Sequence, residues 1–184
     1  MKIACTYSHL GGEEILLVHH KDVLEDIKQI IENVSAKKTK VSKEKSNTGK
    51  LLYSPIDMNT HFKNEFEKYG YHEIRDTFTV KSCTTGKEIS AYKQVDFVKD
   101  TVFIEVQFGK YAFMFYDLAK FQYFFNESKA EVGIEIVPCY DLHKNMSTGV
   151  SYGEQLIHDI ERLRRHFPAV PIMVILIDAD DQND

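Results

Sequence analysis

Apolar residues recur near the start of the chain with the spacing of a helix that has one buried face. This stripe consists of Val23, Ile27, Ile30, Ile31 and Val34. Its period of about 3.6 residues is that of an α-helix. Asp22 precedes the stripe and is expected to be the N-cap. Less regular patterns predict further helices over residues 59–69, 117–126 and 153–166.

Shorter runs of apolar residues predict the strands. They cover residues 2–7, 14–18, 95–97, 101–108, 132–137 and 171–177. The first two are expected to form a hairpin around the Gly11–Gly12 turn. The last two are nearly continuous in apolar residues, which is typical of strands buried on both faces. The stretch 71–91 is rich in Thr, Ser and Lys and predicts short strands and turns.

Helices that alternate with buried strands predict an α/β or α+β fold, with a mixed sheet flanked by helices. The chain has 184 residues, a length that one hydrophobic core accommodates, so residues 1–184 are expected to form a single domain. Hydrophobic residues make up 43% and charged residues 28% of the chain. This ordinary globular composition excludes disorder or low complexity as a description of the whole.

A lysine-rich arm at about residues 35–50 is the one clear change in composition. It carries six lysines, including Lys43 and Lys45, against the single acid Glu44. Such a run is typical of a solvated mobile loop. It is equally consistent with an arm that contacts phosphates, and the composition leaves both interpretations open.

Charge and cysteine content narrow the class of protein. The formal net charge is −5, so a nucleic-acid partner requires a local basic surface rather than overall charge. The three cysteines lie far apart without a CxxC pair, which argues against a disulfide framework or a structural zinc site. The longest apolar run, 170–177, is far shorter than the ~20 residues of a membrane span. A soluble cytoplasmic protein without a membrane partner is expected.

The segment VDFVKDTVFIEVQFGKY carries the clearest chemical signal. Asp96 ends one predicted strand, and Phe103, Glu105 and Gln107 share one face of the next, because side chains alternate along a strand. A turn between the strands would bring Asp96 beside Glu105. Two converging carboxylates repel each other unless a cation lies between them, and Mg²⁺ prefers oxygen ligands.

The partner of Glu105 is left open by this pattern. An unpaired carboxylate among Val, Phe and Ile would be costly, so Glu105 meets either a lysine or a metal ion. A metal at this point would suit phosphodiester hydrolysis. A permanent ammonium partner at Glu105 would overturn the metal site and the hydrolase hypothesis with it, and an Asp–hairpin–Glu spacing also occurs by chance in sheets without a site.

With these residues in place, QVDFVKDTVFIEVQFGKY resembles the active-site hairpin of the PD-(D/E)XK nuclease fold, and in particular type II restriction endonucleases of the BstYI and BglII group. Five further segments are similar to BstYI in the same order: TYSHLGGEEILLVH, SKEKSNTGKLLYSP, VGIEIVPCYDL, MSTGVSYGE and FPAVPIMVI. The resemblance covers most of the chain and is weakest over residues 71–91. It implies a restriction-endonuclease-like sheet flanked by helices.

The resemblance also implies roles for individual residues. Asp96 and Glu105 would be the metal-binding carboxylates, with Mg²⁺ as cofactor. Most of the wider superfamily has Lys at the position of Gln107, whereas the BglII group also has Gln there. A neutral amide cannot take up a proton. Glu73 is the candidate for a fourth, upstream catalytic residue, against the alternative of an exposed loop carboxylate. DNA contacts are expected from Lys43, Lys45, Lys110, Ser147, Thr148, Ser151 and Tyr152.

The function expected from the resemblance is Mg²⁺-dependent cleavage of double-stranded DNA within a restriction-modification system. The site would be a GATC-containing palindrome, RGATCY, cut to leave 5′ overhangs. A palindrome read by two equivalent half-sites implies a homodimer. Two alternatives remain: a structure-specific repair or junction nuclease of the same fold, and a non-catalytic DNA-binding module whose carboxylates are structural.

Overall fold

A computed structural model describes residues 1–45 and 48–180 of the chain, and a mixed six-stranded sheet forms its centre. The strands are β1 (Lys2–His9), β4 (His72–Lys81), β5 (Glu88–Lys99), β6 (Val102–Val106), β7 (Val132–Pro138) and β8 (Ile172–Asp178), and β2 (Lys38–Val41) and β3 (Leu51–Tyr53) form a separate pair. The order is β1-β8-β7-β6-β5-β4. Strands β6, β7 and β8 are parallel, whereas β1, β5 and β4 pair with their neighbours in antiparallel fashion.

Helices cover both faces of this sheet. They are α1 (Gly12–His19), α2 (Lys21–Asn33), α3 (Pro55–Lys68), α4 (Tyr111–Asn126), α5 (Tyr140–His143) and α6 (Gly153–Leu163). On one face, Phe66 of α3 stacks on Phe97 of β5. On the other face, Phe124 of α4 packs against Phe103 of β6. All residues of β6 and β7 are therefore buried, which explains their apolar sequences. The predicted mixed sheet flanked by helices is confirmed.

Residues 14–18 lie in helix α1, so the predicted strand and its hairpin are wrong. Strand β1 pairs instead with β8, from Lys2 opposite Asp178 to His9 opposite Ile172. Helix α1 begins directly against β8. A Cβ on Gly12 would lie only 2.3 Å from the backbone of Ile172, so only glycine fits at this point. The predicted N-cap of α2 is also wrong, since the cap is His20 and Asp22 lies within the first turn.

The stretch 71–91 forms most of one long hairpin rather than short strands and turns. Strands β4 and β5 pair from His72 opposite Val98 to Lys81 opposite Glu88. Most of the outer part of this hairpin is exposed, so it lacks the apolar run by which a buried strand is predicted. The lengths of these two strands follow from pairing with each other and, for β5, with β6.

The described part of the lysine-rich arm contains strand β2, which pairs with β3. The turn between them is held by Ser42, whose backbone N–H donates to Lys50 O at 2.9 Å and whose carbonyl accepts from Gly49 N at 2.9 Å. Ser46 and Asn47 lie outside the described residues. The described residues of the arm are thus joined by backbone hydrogen bonds.

Helix α4 reaches the sheet closely at one point. A Cβ on Gly133 of β7 would lie 2.6 Å from Cγ of Phe121, so the ring of this fully buried phenylalanine occupies the space that the absent side chain leaves. Gly133 thereby sets the distance between α4 and β7. This contact positions the part of α4 that carries Asp117 and Lys120. Within residues 1–45 and 48–180, no helix is long and apolar enough to cross a membrane.

Candidate active site

The hairpin of β5 and β6 brings the two predicted metal ligands to one place. Its ladder pairs Phe97 with Ile104, and Asp96 and Glu105 are the next residues along the two strands. Opposite residues of antiparallel neighbours point to the same face. Asp96, Glu105 and Gln107 all line one cavity of about 370 Å³. The rest of its wall consists of Tyr92, Gln94, Phe113, Tyr116, Asp117 and Lys120.

The two carboxylates differ in their exposure to solvent. Asp96 is exposed, whereas Glu105 is only 3% exposed. Asp96 therefore lies where a ligand enters and Glu105 where water is largely excluded. A charge at Glu105 is consequently much more expensive than one at Asp96.

Lys120 is the partner of Glu105. Its ammonium group on α4 donates to Glu105 Oε1 in a short contact and lies 2.8 Å from Asp117 Oδ1, one helical turn away. Asp117 Oδ2 in turn accepts a hydrogen bond of 3.0 Å from Gln107 Nε2. The sequence predicts either a lysine or a metal ion as the partner of Glu105, and in the structure that partner is Lys120. A continuous polar network runs from Glu105 through Lys120 and Asp117 to Gln107.

Burial dominates the electrostatics of this network. It raises the pKa of Glu105 well above its usual range, and the Asp117 carboxylate raises it further while Lys120 opposes both. Burial likewise raises the pKa of Asp117, against the ammonium of Lys120 and the hydrogen bond from Gln107. For Lys120, burial would lower the pKa, but the Glu105 and Asp117 carboxylates outweigh it and raise the pKa above its usual value. Lys120 is therefore charged.

Glu135 lies behind Glu105, one strand further into the sheet. The parallel ladder pairs Glu105 of β6 with Glu135 of β7. Glu135 is fully buried, and neither of its carboxylate oxygens has a hydrogen-bond partner among the described residues. Burial is the main reason why its pKa is raised well above the usual range, and the negative charges of Asp117 and Glu105 raise it further. This acidic side chain is unpaired in the interior.

Glu73, the candidate for a fourth catalytic residue, lies beside the cavity but does not line it. The β4–β5 ladder pairs His72 with Val98 and Ile74 with Val95, which leaves Glu73 opposite the Asp96 region. Its exposed carboxylate accepts a 2.7 Å hydrogen bond from Gln94 Nε2, and Gln94 lines the cavity. Glu73 thus touches the wall of the cavity through one intervening side chain.

Two groups of predicted DNA-contacting residues lie close together: Lys110, which follows β6, and the polar loop of residues 147–152, which precedes α6. Ser151 N donates to Gly109 O at 2.9 Å, which ties the polar loop to the segment between Gln107 and Lys110. Lys110 is exposed and is the N-cap of α4. Tyr152 is the N-cap of α6, and its ring packs edge-on against Tyr140.

The lysine-rich arm packs against the same loop. Lys40 Nζ donates to Ser147 Oγ at 2.5 Å, and Thr148 N donates to a carboxylate oxygen of Glu44 at 3.2 Å. Lys43 and Lys45 are exposed on this arm. The structure therefore brings the arm and the Ser147–Thr148 loop together, and Ser151 of that loop is hydrogen-bonded to Gly109, which follows β6.

Sequence reasoning missed three residues of the site: Asp117, Lys120 and Glu135. Asp117 and Lys120 are three residues apart in a predicted helix, so they share a face. The sequence does not indicate that this face packs against Glu105. Glu135 is the one charged residue in the apolar run VGIEIVP. A lone acid in a predicted buried strand is a signal in itself, since such a position is costly.

The donor set fits a hard divalent cation in its chemistry. Carboxylate and amide oxygens of Asp96, Glu105 and Gln107 line the cavity, and Mg²⁺ is commonly bound through one or two carboxylates plus substrate phosphates and water. Among the described residues, no group of three or more His, Cys, Asp or Glu side chains is placed to hold a metal by itself. Protein ligands alone would therefore leave the coordination incomplete.

A mixed sheet with two carboxylates and an amide at a central hairpin is consistent with the nuclease class. Two solved structures are similar over 97% of this chain at 21% identity. Restriction endonuclease BglII complexed with a DNA 16-mer matches with a TM-score of 0.74 over 79% of its chain, and free BglII with 0.66 over 80%. At this identity the likeness shows the fold. No curated protein matches by sequence.

The family follows from the sequence match. Residues 4–177 match the family described as restriction endonuclease BglII/BglIII, and the chain belongs to it. The protein is therefore a type II site-specific deoxyribonuclease.

Proposed function

We propose that this enzyme uses Mg²⁺ to hydrolyse both strands of double-stranded DNA at a GATC-containing palindrome, RGATCY, leaving 5′ overhangs. The observation that carries the catalytic part is the convergence of Asp96, Glu105 and Gln107 on one cavity in a chain of this family. The recognition site and the overhangs rest on the resemblance to the BstYI and BglII group. The proposal includes a single domain over residues 1–184, a cytoplasmic location and a companion methyltransferase.

Asp96 and Glu105 would hold the cation. When bound, Mg²⁺ supplies positive charge at the scissile phosphate and lowers the pKa of a bound water. Gln107 orients a water or phosphate oxygen by hydrogen bonding but accepts no proton. Asp117 accepts a hydrogen bond from the Gln107 amide and so holds it in place. Glu73 acts on the site only through Gln94 in this arrangement.

The ammonium of Lys120 at Glu105 is the arrangement that counts against a metal there. One lysine, however, serves two buried carboxylates, and a third, Glu135, lies unpaired beside them. Neighbouring acidic groups disfavour each other's ionised forms, and a further cation that binds among them removes that penalty. The proposal therefore requires the ammonium to leave Glu105 when Mg²⁺ binds.

DNA would lie across the cavity mouth, the polar loop and the arm. Lys43, Lys45 and Lys110 are exposed and suited to phosphates or base edges. The hydroxyls of Ser147 and Thr148 are suited to base edges in the major groove. Ser151 and Tyr152 would position this loop through their backbone and ring contacts. A palindromic site requires two such surfaces, so we propose a two-fold homodimer.

Plasmid digestion tests the proposal directly. The purified protein should cut a sequenced plasmid into discrete fragments with Mg²⁺ and should not cut with EDTA. Run-off sequencing of the ends should read RGATCY with 5′ overhangs. Smeared products, or cutting confined to branched DNA, would instead support a structure-specific nuclease of the same fold.

Single substitutions test the two carboxylates. Asp96→Ala and Glu105→Ala should abolish cleavage while gel-shift binding of a specific duplex persists. Asp100→Asn is the matched control, because this exposed aspartate lies in the turn of the same hairpin and has a positive φ of 53°, which Asn tolerates. It should cut normally. Cleavage retained by both alanine variants would reject the metal site.

A further inference from the structure

The carboxylate of Glu135 has no explanation in the resting structure. It is fully buried in the parallel part of the sheet, and both oxygens lack a partner among the described residues. A buried polar group without a hydrogen bond has lost its water partners and gained none in return, which is costly. Such a group is rare enough in folded proteins that each case calls for a cause.

Its position relates it to the catalytic cavity. Glu135 and Glu105 are paired residues of parallel strands, so their side chains emerge on the same face of the sheet. Helix α4 covers that face and contributes Lys120 and Asp117. Glu135 is absent from the cavity wall, so it lies behind Glu105 as seen from solvent. The groups whose charges act on it are Asp117, Glu105, Lys120 and Asp96.

Lys120 is the group in this cluster that can change partner. An ammonium group has three donor hydrogens, and Lys120 directs donors to Glu105 and Asp117. If a divalent cation takes Glu105, the ammonium loses that acceptor and is repelled by the new charge. An ammonium left short of acceptors in a water-poor site would oppose cation binding.

We propose that Glu135 is the reserve acceptor for Lys120 when a divalent cation engages Glu105. This inference rests on the proposed function. In the resting state the ammonium contacts both Glu105 and Asp117, and Glu135 has no hydrogen-bond partner among the described residues. In the cation-bound state Lys120 keeps Asp117 and exchanges Glu105 for Glu135. Glu135 is thus a positioning residue, which supports cation binding without touching the cation.

Calorimetric titration of Ca²⁺ into the full-length protein with a specific duplex tests this. Glu135→Gln preserves shape but leaves only a neutral amide oxygen that can never become a carboxylate acceptor for the ammonium, and it should weaken Ca²⁺ binding about 10-fold or more, as loss of an outer partner of a metal ligand does. In a Lys120→Met background the same change should have almost no effect, because no ammonium needs an acceptor. Glu127→Gln, at the exposed end of α4, is the matched control and should bind as wild type.

A crystal structure of the wild-type complex with Ca²⁺ gives a second readout that needs no variant. Lys120 Nζ should lie within hydrogen-bonding distance of Glu135 and no longer contact Glu105. An ammonium still on Glu105, unchanged Ca²⁺ affinity in Glu135→Gln, or an equal loss in the Lys120→Met background would each overturn the inference.

The two proposals fail in different ways. If the wild type cuts the plasmid and Asp96→Ala does not, but Glu135→Gln binds Ca²⁺ normally, only the role of Glu135 is rejected. If the wild type neither binds Ca²⁺ nor cuts, the metal-dependent function is rejected and the inference with it.

Discussion

Replacing Lys120 by Met tests how much the buried network contributes to stability. Met keeps a straight aliphatic chain in place but removes the charge that serves Glu105 and Asp117. The side chains of these three residues are 11%, 4% and 3% exposed, so solvent screens the interaction little. Removing one partner of a buried ion pair costs about 3–5 kcal/mol. For a chain of this size, that corresponds to a fall in Tm of about 6–20 °C.

The loss should depend on pH. Without the ammonium, the pKa of Glu105 and of Asp117 rises further, so both carboxyls remain protonated in the folded state over a wider pH range. A raised folded-state pKa gives stability that is complete below the unfolded pKa and is lost as pH rises. The cost of Lys120→Met should therefore be smaller at pH 5 than at pH 8.

Urea unfolding of the metal-free protein at these two pH values measures the effect. Lys129→Met is the control, since Lys129 pairs with Asp76 at 3.0 Å in a more exposed setting and should change stability much less. A loss at pH 8 of less than about 1 kcal/mol, far below that expected for a buried pair, or a loss that is equal at both pH values, would refute the reasoning.

Three further outcomes are expected. Because the pKa of Glu135 is raised, its own contribution to metal-free stability should fall as pH rises above about 4.3, and Glu135→Gln should make the slope of stability against pH less negative by up to about 1.4 kcal/mol per pH unit; equal slopes for wild type and variant in urea unfolding from pH 4.5 to 8 would contradict this. Gly133→Ala should lose about 1–3 kcal/mol in the same assay, since its Cβ would meet the ring of Phe121 at 2.6 Å; unchanged stability would show that α4 shifts freely. If six to eight phosphates are neutralised, log K for the specific duplex should fall with log[salt] at a slope of roughly −5 to −7, and a slope near zero in fluorescence titrations would exclude phosphate contacts as the main source of affinity.

Strong local patterns correctly predicted much of the fold. The stripe from Val23 to Val34 and the apolar runs of β7 and β8 have periods and lengths that few other structures satisfy. The prediction for residues 14–18 failed because a run of five residues, four of them apolar, suits either a helix or a strand. Its helical state depends on the close approach of Gly12 to β8, which lies about 160 residues further along the chain.

The residues of the candidate site likewise fall into two groups: those that local sequence patterns identify and those that only the structure reveals. Asp96, Glu105 and Gln107 were identifiable in the sequence because one tight hairpin relates them, and a hairpin converts spacing directly into proximity. The nuclease role proposed for them rests on the resemblance, and family membership follows from the match over residues 4–177.

Only the tertiary structure decided what surrounds those three side chains. Lys120 reaches Glu105 from a helix on the face of the sheet, and Glu135 lies opposite it on the next parallel strand. Contacts across a helix–sheet interface or between parallel strands join residues separated by long crossover connections, so no local period records them. The sequence determined which acids meet in the hairpin, while packing of α4 and β7 determined the cation that accompanies them and the buried carboxyl behind them.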